Sequence, residues 1–300
     1  MSRVILSFGL FFLFPVTLFC QTARYKLKRS QTFYVPEPVN ETSGRFYFDG
    51  ELGTQNDSGG ENRLYVLDTL GGEIKRSIAV PGSVNRDWEA LTVSDGKLYI
   101  GDFGNNSGLR KDLTIYIADL SSLPASLPVA DSIRFRYPEQ TVFEKKGRNH
   151  DFDCEAMVVF RDSVYLYSKG WADGFTTIRT LPARPGEYAA RTRSRFDAGG
   201  LVTDAAFDAQ RNLLVWVGYS LESQILQPFV WLFHTDHPAK INRTDGVRVT
   251  LDPAFTQVEG VAILPSGKLA ITAEGISSKW LDIAPALFLV WPRELTQKTR

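Results

Sequence analysis

The stretch Ala90-Leu91-Thr92-Val93-Ser94-Asp95-Gly96-Lys97-Leu98-Tyr99-Ile100-Gly101 decides the fold. Two short apolar runs flank Asp95-Gly96, and Asp-Gly between such runs is a strong sequence signal for a β-hairpin. The pattern returns near the end of the chain, where Val261-Ala262-Ile263-Leu264 is followed by Pro265-Ser266-Gly267-Lys268 and then by Leu269-Ala270-Ile271-Thr272. The sequence therefore predicts a repeated unit of strand, turn and strand.

Five such units follow one another along the chain. Each opens on an acidic residue, then small or apolar residues and a first strand; the opening acids are Glu41, Glu89, Glu155, Asp204 and Glu259. The intervals between these acids hold four short strands with their loops, which is the length of one blade in a radially repeated fold. Further strand-like runs occur where a third and a fourth strand belong, such as Leu113 to Ile117 and Ser132 to Tyr137.

These patterns predict an all-β fold, a single β-propeller of five blades with four antiparallel strands each. The long interval between Glu89 and Glu155 leaves room for a sixth, irregular blade. The last unit has a third strand at Leu287 to Trp291 and then almost no chain left, so we expect the N-terminal run Ser30 to Val35 to supply its fourth strand. That strand would close the ring.

The first 20 residues have the features of an export segment. Arg3 precedes an apolar run from Val4 to Phe19, and polar residues follow from Gln21. We expect cleavage after Cys20, a β-propeller domain over 21–300, and a periplasmic, cell-surface or extracellular location. Lipid anchoring through Cys20 is the less favoured alternative, because a bulky Phe19 precedes the cysteine. The run is short for a membrane span, and we expect no transmembrane segment in the mature chain.

The opening acids of the blades should converge at one mouth of the central channel. Crowded carboxylates repel one another unless a cation or hydrogen-bond donors compensate them. Ca²⁺ accepts six to eight oxygen ligands with flexible geometry, so Glu41, Glu89, Glu155, Asp204 and Glu259 are candidate metal ligands. The alternative is that these acids accept hydrogen bonds from neighbouring backbone N–H groups and brace one blade against the next.

A second set of polar residues lies in the loops that should open on the same mouth. The candidate ligand-binding residues in or near these loops are Asn56, Asp57, Trp88, Asp102, Asn105, Lys169 and Glu274. Trp88 could stack on a ligand or pack between blades. Lys169 could hold a phosphate or carboxylate or neutralise the acids around it.

The charge balance bears on the choice of partner. Lysine plus arginine equals aspartate plus glutamate at 34 each, so no overall field attracts nucleic acid. We expect a monomer that takes a small-molecule or glycan ligand in the funnel formed by the channel mouth.

The motifs Asn56-Asp57-Ser58-Gly59-Gly60, Asp87-Trp88-Glu89-Ala90, Gly101-Asp102-Phe103-Gly104-Asn105-Asn106 and Asp153-Cys154-Glu155-Ala156 resemble a family of exported bacterial β-propeller proteins. The resemblance covers nearly all of the mature chain and implies architecture and export, with no activity attached. The glutamates that open successive blades also resemble, more loosely, those of calcium-dependent apyrases, which are five-bladed propellers with an acid-rich channel around Ca²⁺.

Two functions follow from this pattern. One is a Ca²⁺-dependent hydrolase of a small phosphate- or ester-containing substrate, in which the metal polarises the bond to be cleaved. The other is a non-enzymatic propeller that binds a ligand or acts as a scaffold at the cell surface. The fold class alone does not separate them.

Overall fold

The computed structural model describes residues 23–57, 59–68, 72–145, 148–222, 225–252, 256–277 and 282–296. The expected export segment at 1–20, with Cys20, lies outside these residues and stays a prediction. No described helix is long and apolar enough to cross a membrane.

The described residues form a five-bladed β-propeller, as the repeat predicts, and the sixth blade that the sequence left open is not formed in the described part of the chain. Blade 1 contains Thr42–Phe48, Glu51–Asn56, Arg63–Leu67 and Ile74–Ala79. Blade 2 contains Trp88–Ser94, Lys97–Asp102, Leu113–Asp119 and Asp131–Arg136. Blade 3 contains Cys154–Phe160, Ser163–Ser168, Phe175–Pro182 and Arg191–Asp197.

Blade 4 contains Leu201–Asp208, Leu213–Glu222, Ile225–His234 and Gly246–Asp252, and blade 5 contains Val258–Ile263, Leu269–Ala273, Ala286–Val290 and Thr32–Tyr34. Two further strands run parallel to outer edges: Gly186–Ala189 on blade 2 and Ala23–Lys26 on blade 4. Ile276–Ser277 and Asp282–Ile283 form a separate small hairpin. A short helix, Pro292–Thr296, and three 3-10 turns, Arg29–Gln31, Glu37–Val39 and Arg243–Asp245, complete the elements.

The first strand of each blade lies at the centre of the ring. Each of these inner strands contacts the inner strand of the next blade, and the inner strand of blade 5 contacts that of blade 1. In blade 5, Thr32, Phe33 and Tyr34 pair antiparallel with Phe288, Leu287 and Ala286. The outermost strand of the last blade thus comes from the start of the described chain.

The hairpin around Asp95-Gly96, from which the repeat was recognised, has the expected geometry. Ser94 pairs with Lys97, and the two turn residues Asp95 and Gly96 have φ of 49° and 68°. Positive φ at both central positions defines a type I′ turn, whose twist matches that of the flanking strands. Glycine and aspartate tolerate this conformation well, which explains why the Asp-Gly signal was informative.

The hydrophobic core consists of five clusters, one at each junction between neighbouring blades. Alternate residues of one strand therefore serve different junctions. In blade 4, Leu214 and Trp216 pack against blade 3, whereas Val215 and Val217 pack against blade 5. This requirement for two buried faces explains the continuous apolar run Leu213 to Val217. In a strand with one solvent-exposed face, apolar residues would alternate with polar ones.

Deleting the N-terminal strands tests their part in ring stability. A variant that starts at Glu41 lacks Thr32–Tyr34 and leaves the edge of Ala286–Val290 unpaired, which invites aggregation. We expect it to aggregate or to melt roughly 10 °C or more below the control, because losing the strand should lower the free energy of unfolding by several kcal/mol. The control starts at Lys28 and lacks only Ala23–Lys26. Equal melting temperatures of the two variants would show that Thr32–Tyr34 does not hold the ring together.

A glycine pair tests the close approach of neighbouring inner strands. Gly44 has a φ of 60°, and a Cβ there would lie 2.9 Å from the backbone nitrogen of Leu91 in blade 2. Gly50 has a φ of 83° with nothing within 4 Å. We expect Gly50→Ala to cost about 1–2 kcal/mol through backbone conformation alone. Gly44→Ala should cost roughly 1–3 kcal/mol more, because blades 1 and 2 must separate; equal costs in urea unfolding would contradict this packing.

Candidate functional site

The five inner strands share one irregularity near their starts. In each, one residue has no partner on the second strand, which is the signature of a β-bulge; these residues are Gly44, Glu89, Glu155, Thr203 and Glu259. A bulge re-aims its side chain relative to the regular alternation of a strand. Three of the five bulges present a glutamate, and all three glutamates line one funnel at the mouth of the channel.

The funnel has a volume of about 240 Å³ and is lined by residues of several blades. Its walls are formed by Asp57, Glu89, Asn106, Arg148, Glu155, Lys169, Trp171, Tyr219, Leu221, Leu226, Gln257 and Glu259. Carboxylates are the most frequent polar groups among them. Serine, cysteine and histidine are absent from this described lining.

Three acids lie close enough together to share a cation. One carboxylate oxygen from each of Asp57, Asp87 and Glu89 lies within 4.8 Å of the other two. Ca²⁺ binds oxygen at 2.3–2.6 Å, so oxygens on opposite sides of one ion are about 4.6–5.2 Å apart. These three oxygens therefore fit on the coordination sphere of a single calcium ion.

The loop Asp102 to Asn106 closes over this trio. Asp102 Oδ1 accepts the backbone N–H of Asp87 at 2.9 Å, and the N–H of Gly104 donates to the carbonyl of Asp87 at 3.1 Å. A Cβ at Gly104 would lie 2.2 Å from a carboxylate oxygen of Glu89 and 2.4 Å from one of Asp87. Any residue with a Cβ at position 104 would collide with these two carboxylates, so only glycine fits there.

Lys169 occupies the opposite wall of the funnel. Its Nζ lies 3.1 Å from Glu155 Oε2 and 3.9 Å from Glu259 Oε1, and all three side chains are buried. Burial alone would lower the pKa of Lys169, but the neighbouring carboxylates outweigh it and hold the pKa well above its usual value. The ammonium group thus compensates the negative charges of Glu155 and Glu259.

The remaining acids of the funnel are electrostatically crowded. Burial, together with Glu155 and Asp57, raises the pKa of Glu89 well above its usual value. Burial and the neighbouring acids raise the pKa of Asp87 to about 7. Oε1 of Glu155 is buried without a hydrogen-bond partner. A buried carboxylate oxygen without a donor is costly, and a cation would relieve that cost.

Glu274 belongs to a hydrogen-bonded chain beside this wall. Gln257 Nε2 donates to Glu259 Oε1 and to Glu274 Oε2, each at 2.7 Å. Burial and the charge of Glu259 raise the pKa of Glu274 well above its usual value. Gln257 had no signal in the sequence, because a single glutamine two residues before an acid is unremarkable.

Not every residue that the sequence singled out for metal binding lies in the funnel. Glu41 is exposed, three residues before the bulge at Gly44; its backbone carbonyl accepts the N–H of Asp57, but its carboxylate is not among the three that converge. Asp204 follows the bulge at Thr203, and its carboxylate accepts the N–H groups of Ala205 at 2.8 Å and Val261 at 2.7 Å. Asp204 therefore joins blade 4 to blade 5, as the bracing alternative expects.

Several candidate ligand-binding residues hold loops or fill the core. Trp88 is fully buried between blades 1 and 2, and its Nε1 donates to the carbonyl of Val84. Its ring packs in the core and offers no open face to a ligand. Asp102 is paired with Arg110 at 3.2 Å.

Two asparagines complete this group. Asn105 donates its backbone N–H to Asp153 and its side-chain amide to the carbonyl of Phe152. Asn56 donates to the carbonyl of Pro38. These bonds shape the loops around the funnel.

The structure adds residues that the sequence reasoning did not select as site residues. Asp87 completes the trio, Trp171 and Arg148 form part of the wall, and Leu221 and Leu226 extend it outward. The guanidinium of Arg148 lies 4.2 Å from the ring centre of Trp171, and Trp171 Nε1 donates to Asp153 at 2.8 Å. Asp87 could have been recognised from its place beside Trp88-Glu89, whereas the two leucines carried no signal beyond hydrophobicity.

Fold and site together define a five-bladed β-propeller with an acid-rich funnel at one mouth of its channel. No family model matches the chain, and no curated protein matches it. Among solved structures, it is similar to a glucose dehydrogenase with a TM-score of 0.45 and 10% identity, over 86% of this chain and 98% of that chain.

Two further structures show weaker similarity. One is the computationally designed protein Ika8, with a TM-score of 0.34 and 11% identity over 83% of this chain and 71% of that chain. The other is the hydrazine synthase of Kuenenia stuttgartiensis, with a TM-score of 0.37 and 10% identity. Here 74% of this chain matches 58% of that chain. Similarities of this size contribute nothing to the choice of function.

The raised pKa of Glu274 predicts a pH-dependent effect of removing its charge. A buried acid with a raised pKa binds its proton more tightly in the folded protein than in the unfolded one. Its unfavourable contribution to folding stability is therefore absent below the unfolded pKa and grows as the pH rises. Glu274→Gln retains an acceptor for Gln257 and should stabilise the cation-free protein at pH 8, with no gain at pH 4. The control Glu187→Gln, at an acid 80% exposed, should change neither value. A gain independent of pH in thermal unfolding would contradict the electrostatic cause.

Proposed function

We propose that the protein is a divalent-cation-dependent hydrolase of a small phosphate- or ester-containing substrate, with Ca²⁺ as the favoured cation. The observation that carries the proposal is the trio Asp57, Asp87 and Glu89, whose oxygens lie within 4.8 Å of one another beside an accessible funnel. The looser likeness to calcium-dependent apyrases agrees with it, and the export predicted for residues 1–20 would place the protein where Ca²⁺ is available.

The donor set suits a hard cation. All three trio ligands are carboxylates, and Glu155 offers a further buried oxygen without a donor in the same funnel. Ca²⁺ prefers oxygen ligands and takes the rest of its six to eight from water or substrate. A substrate oxygen could thus complete the coordination while the substrate occupies the funnel.

The lining also bears on the type of hydrolysis. Serine, cysteine and histidine, the usual groups of covalent catalysis, are missing from the described lining. A metal would supply what they do not, because it polarises the bond to be cleaved and lowers the pKa of a bound water molecule. The carboxylates of this chain would hold the cation, and Lys169 would keep Glu155 and Glu259 in place.

The second candidate is a non-enzymatic ligand-binding or scaffold propeller. It is favoured by the acids that already accept hydrogen bonds across blade junctions. Asp204 joins blades 4 and 5, and Asp153 accepts the N–H of Asn105 from blade 2 at 2.7 Å. If the funnel acids act in the same way, they brace the ring and bind no metal.

Cation binding is the first test. Chelator-treated protein should gain about 2.7 kcal/mol at a cation concentration a hundred times Kd, which raises the melting temperature by roughly 5 °C or more. Glu89→Gln keeps the shape and the bond from Ser43 but removes a trio charge, and should abolish the rise. The control Glu187→Gln should retain it. The absence of any shift with Ca²⁺, Mg²⁺ or Mn²⁺ would eliminate the cation site.

Turnover is the second test. Release of phosphate and hydrolysis of esters and lactones should be measured with and without added Ca²⁺. Activity that requires Ca²⁺ and disappears in Glu89→Gln supports the hydrolase. A calcium-dependent melting shift without turnover of any substrate supports the ligand-binding propeller.

A further inference from the structure

Blade 4 differs from the other blades at the funnel. In the other four blades the ladder between second and third strands ends at Gln55, Asp102, Tyr167 and Ala273. In blade 4 it continues past Gly218, the position equivalent to Asp102, to the pair Glu222 and Ile225. Blade 4 therefore projects a hairpin beyond the rim of the ring.

One face of this hairpin is apolar and lines the funnel. Leu221 pairs with Leu226, and Tyr219 pairs with Pro228 two residues nearer the ring. Side chains two apart on a strand, and those of directly paired residues, lie on the same face. Leu221, Leu226 and Tyr219 all line the funnel, and Leu221 is 58% exposed. We refer to Leu221 and Leu226 as the leucine lip.

An exposed leucine and a half-buried leucine beside a carboxylate site need an explanation. The ring does not require a continuous extension of this kind, because the ladders of the other blades end earlier and those blades still pack. A ligand with an apolar part would bury the leucine lip and remove its surface from water, at about 25 cal/mol per Å². The aromatic rings of Trp171 and Tyr219, each within 6 Å of Lys169 Nζ, extend this surface inward.

The charge and the size of the funnel limit the polar part of the ligand. The lining contains four carboxylates, from Asp57, Glu89, Glu155 and Glu259, and two cationic groups, from Lys169 and Arg148. Asp87 adds a fifth carboxylate, so when all five acids are ionised the formal charge stays negative even with a divalent cation bound. A doubly charged phosphate monoester meets net repulsion there, whereas a neutral ester does not. The volume of about 240 Å³ is below the usual 300–1,000 Å³ of ligand pockets.

We propose that the substrate is a small uncharged carboxylic ester or lactone with an apolar acyl chain, which lies on the leucine lip while its carbonyl oxygen faces the trio. This inference rests on the proposed hydrolase and narrows its substrate class to esters. In the reaction, the oxygen of water bonds to the carbonyl carbon and the acyl–oxygen bond breaks. The leaving alkoxide takes one proton of the water, and the carboxylic acid product releases the other proton to solvent.

A chain-length series tests the proposal. With Ca²⁺ present, kcat/KM should rise from acetyl to butyryl to hexanoyl p-nitrophenyl esters by up to about fourfold per buried methylene. Leu221→Ser with Leu226→Ser should flatten this rise. The control Val247→Ser changes another exposed apolar residue of blade 4, outside the funnel lining, and should preserve the rise.

The outcomes separate the substrate class from the hydrolase itself. A flat series in the unchanged protein, or faster turnover of p-nitrophenyl phosphate than of every ester, overturns the ester assignment while the hydrolase stands. Methyl ketones of the same chain lengths give a second measurement without turnover, through their effect on the melting temperature. Chain-length-dependent ketone binding that needs the leucine lip, without turnover of any ester or of p-nitrophenyl phosphate, eliminates the hydrolase and keeps the apolar binding site. If the ketones do not bind either, the lip is no ligand surface.

Discussion

The need of every blade to bury two faces governs this structure. A sheet in the middle of a ring has a neighbour on each side, so successive residues of one strand belong to different hydrophobic clusters. Leu214 and Trp216 serve the junction with blade 3, and Val215 and Val217 serve the junction with blade 5. A charged group in such a strand is costly, because the neighbouring blades shield both faces from solvent. The acids of the funnel are therefore confined to the axis.

This confinement makes the bulges of the inner strands important. The regular alternation of a strand would direct the side chain of Glu155 or Glu259 into a blade junction, where a carboxylate is costly. The bulge releases one residue per blade from that alternation and allows its side chain to face the channel. The same irregularity appears in blades 1 and 4, where Gly44 and Thr203 occupy the position. The bulge is thus common to all five inner strands, and in three of them a glutamate occupies it.

The sequence predicted the architecture well because the repeat carries its own signals. Asp95-Gly96 specifies a type I′ turn, and the strands that it joins were located to within a residue or two. The acids were harder to place. Glu89, Glu155 and Glu259 coincide with bulges, but Glu41 and Asp204 are displaced from theirs by three residues and one residue. Local sequence does not mark a bulge, since its position depends on pairing with the second strand.

Trp88 illustrates a second limit of sequence reasoning. An aromatic residue between two acids suits a ligand-binding loop and a blade junction equally well. The structure places its ring among Phe46, Leu64 and Leu91, so the neighbouring acids face the funnel while the ring fills the core. Leu221 and Leu226 show the converse, since they read as ordinary strand residues. Their place at the funnel, and the exposure of Leu221, follow only from the extra length of the blade 4 hairpin.

The acids in and around the funnel fall into three groups that differ in their surroundings. Asp102, Asp153 and Asp204 accept backbone or side-chain donors from neighbouring segments and hold those segments together. Glu155 and Glu259 share Lys169. The trio forms a third group: one oxygen of each member lies within 4.8 Å of the other two, a spacing that suits one cation, and burial keeps the pKa values of Asp87 and Glu89 high. A ring stabilised only by bracing would gain nothing from carboxylates that face one another across an open funnel. Their convergence is the observation on which the proposed cation site rests.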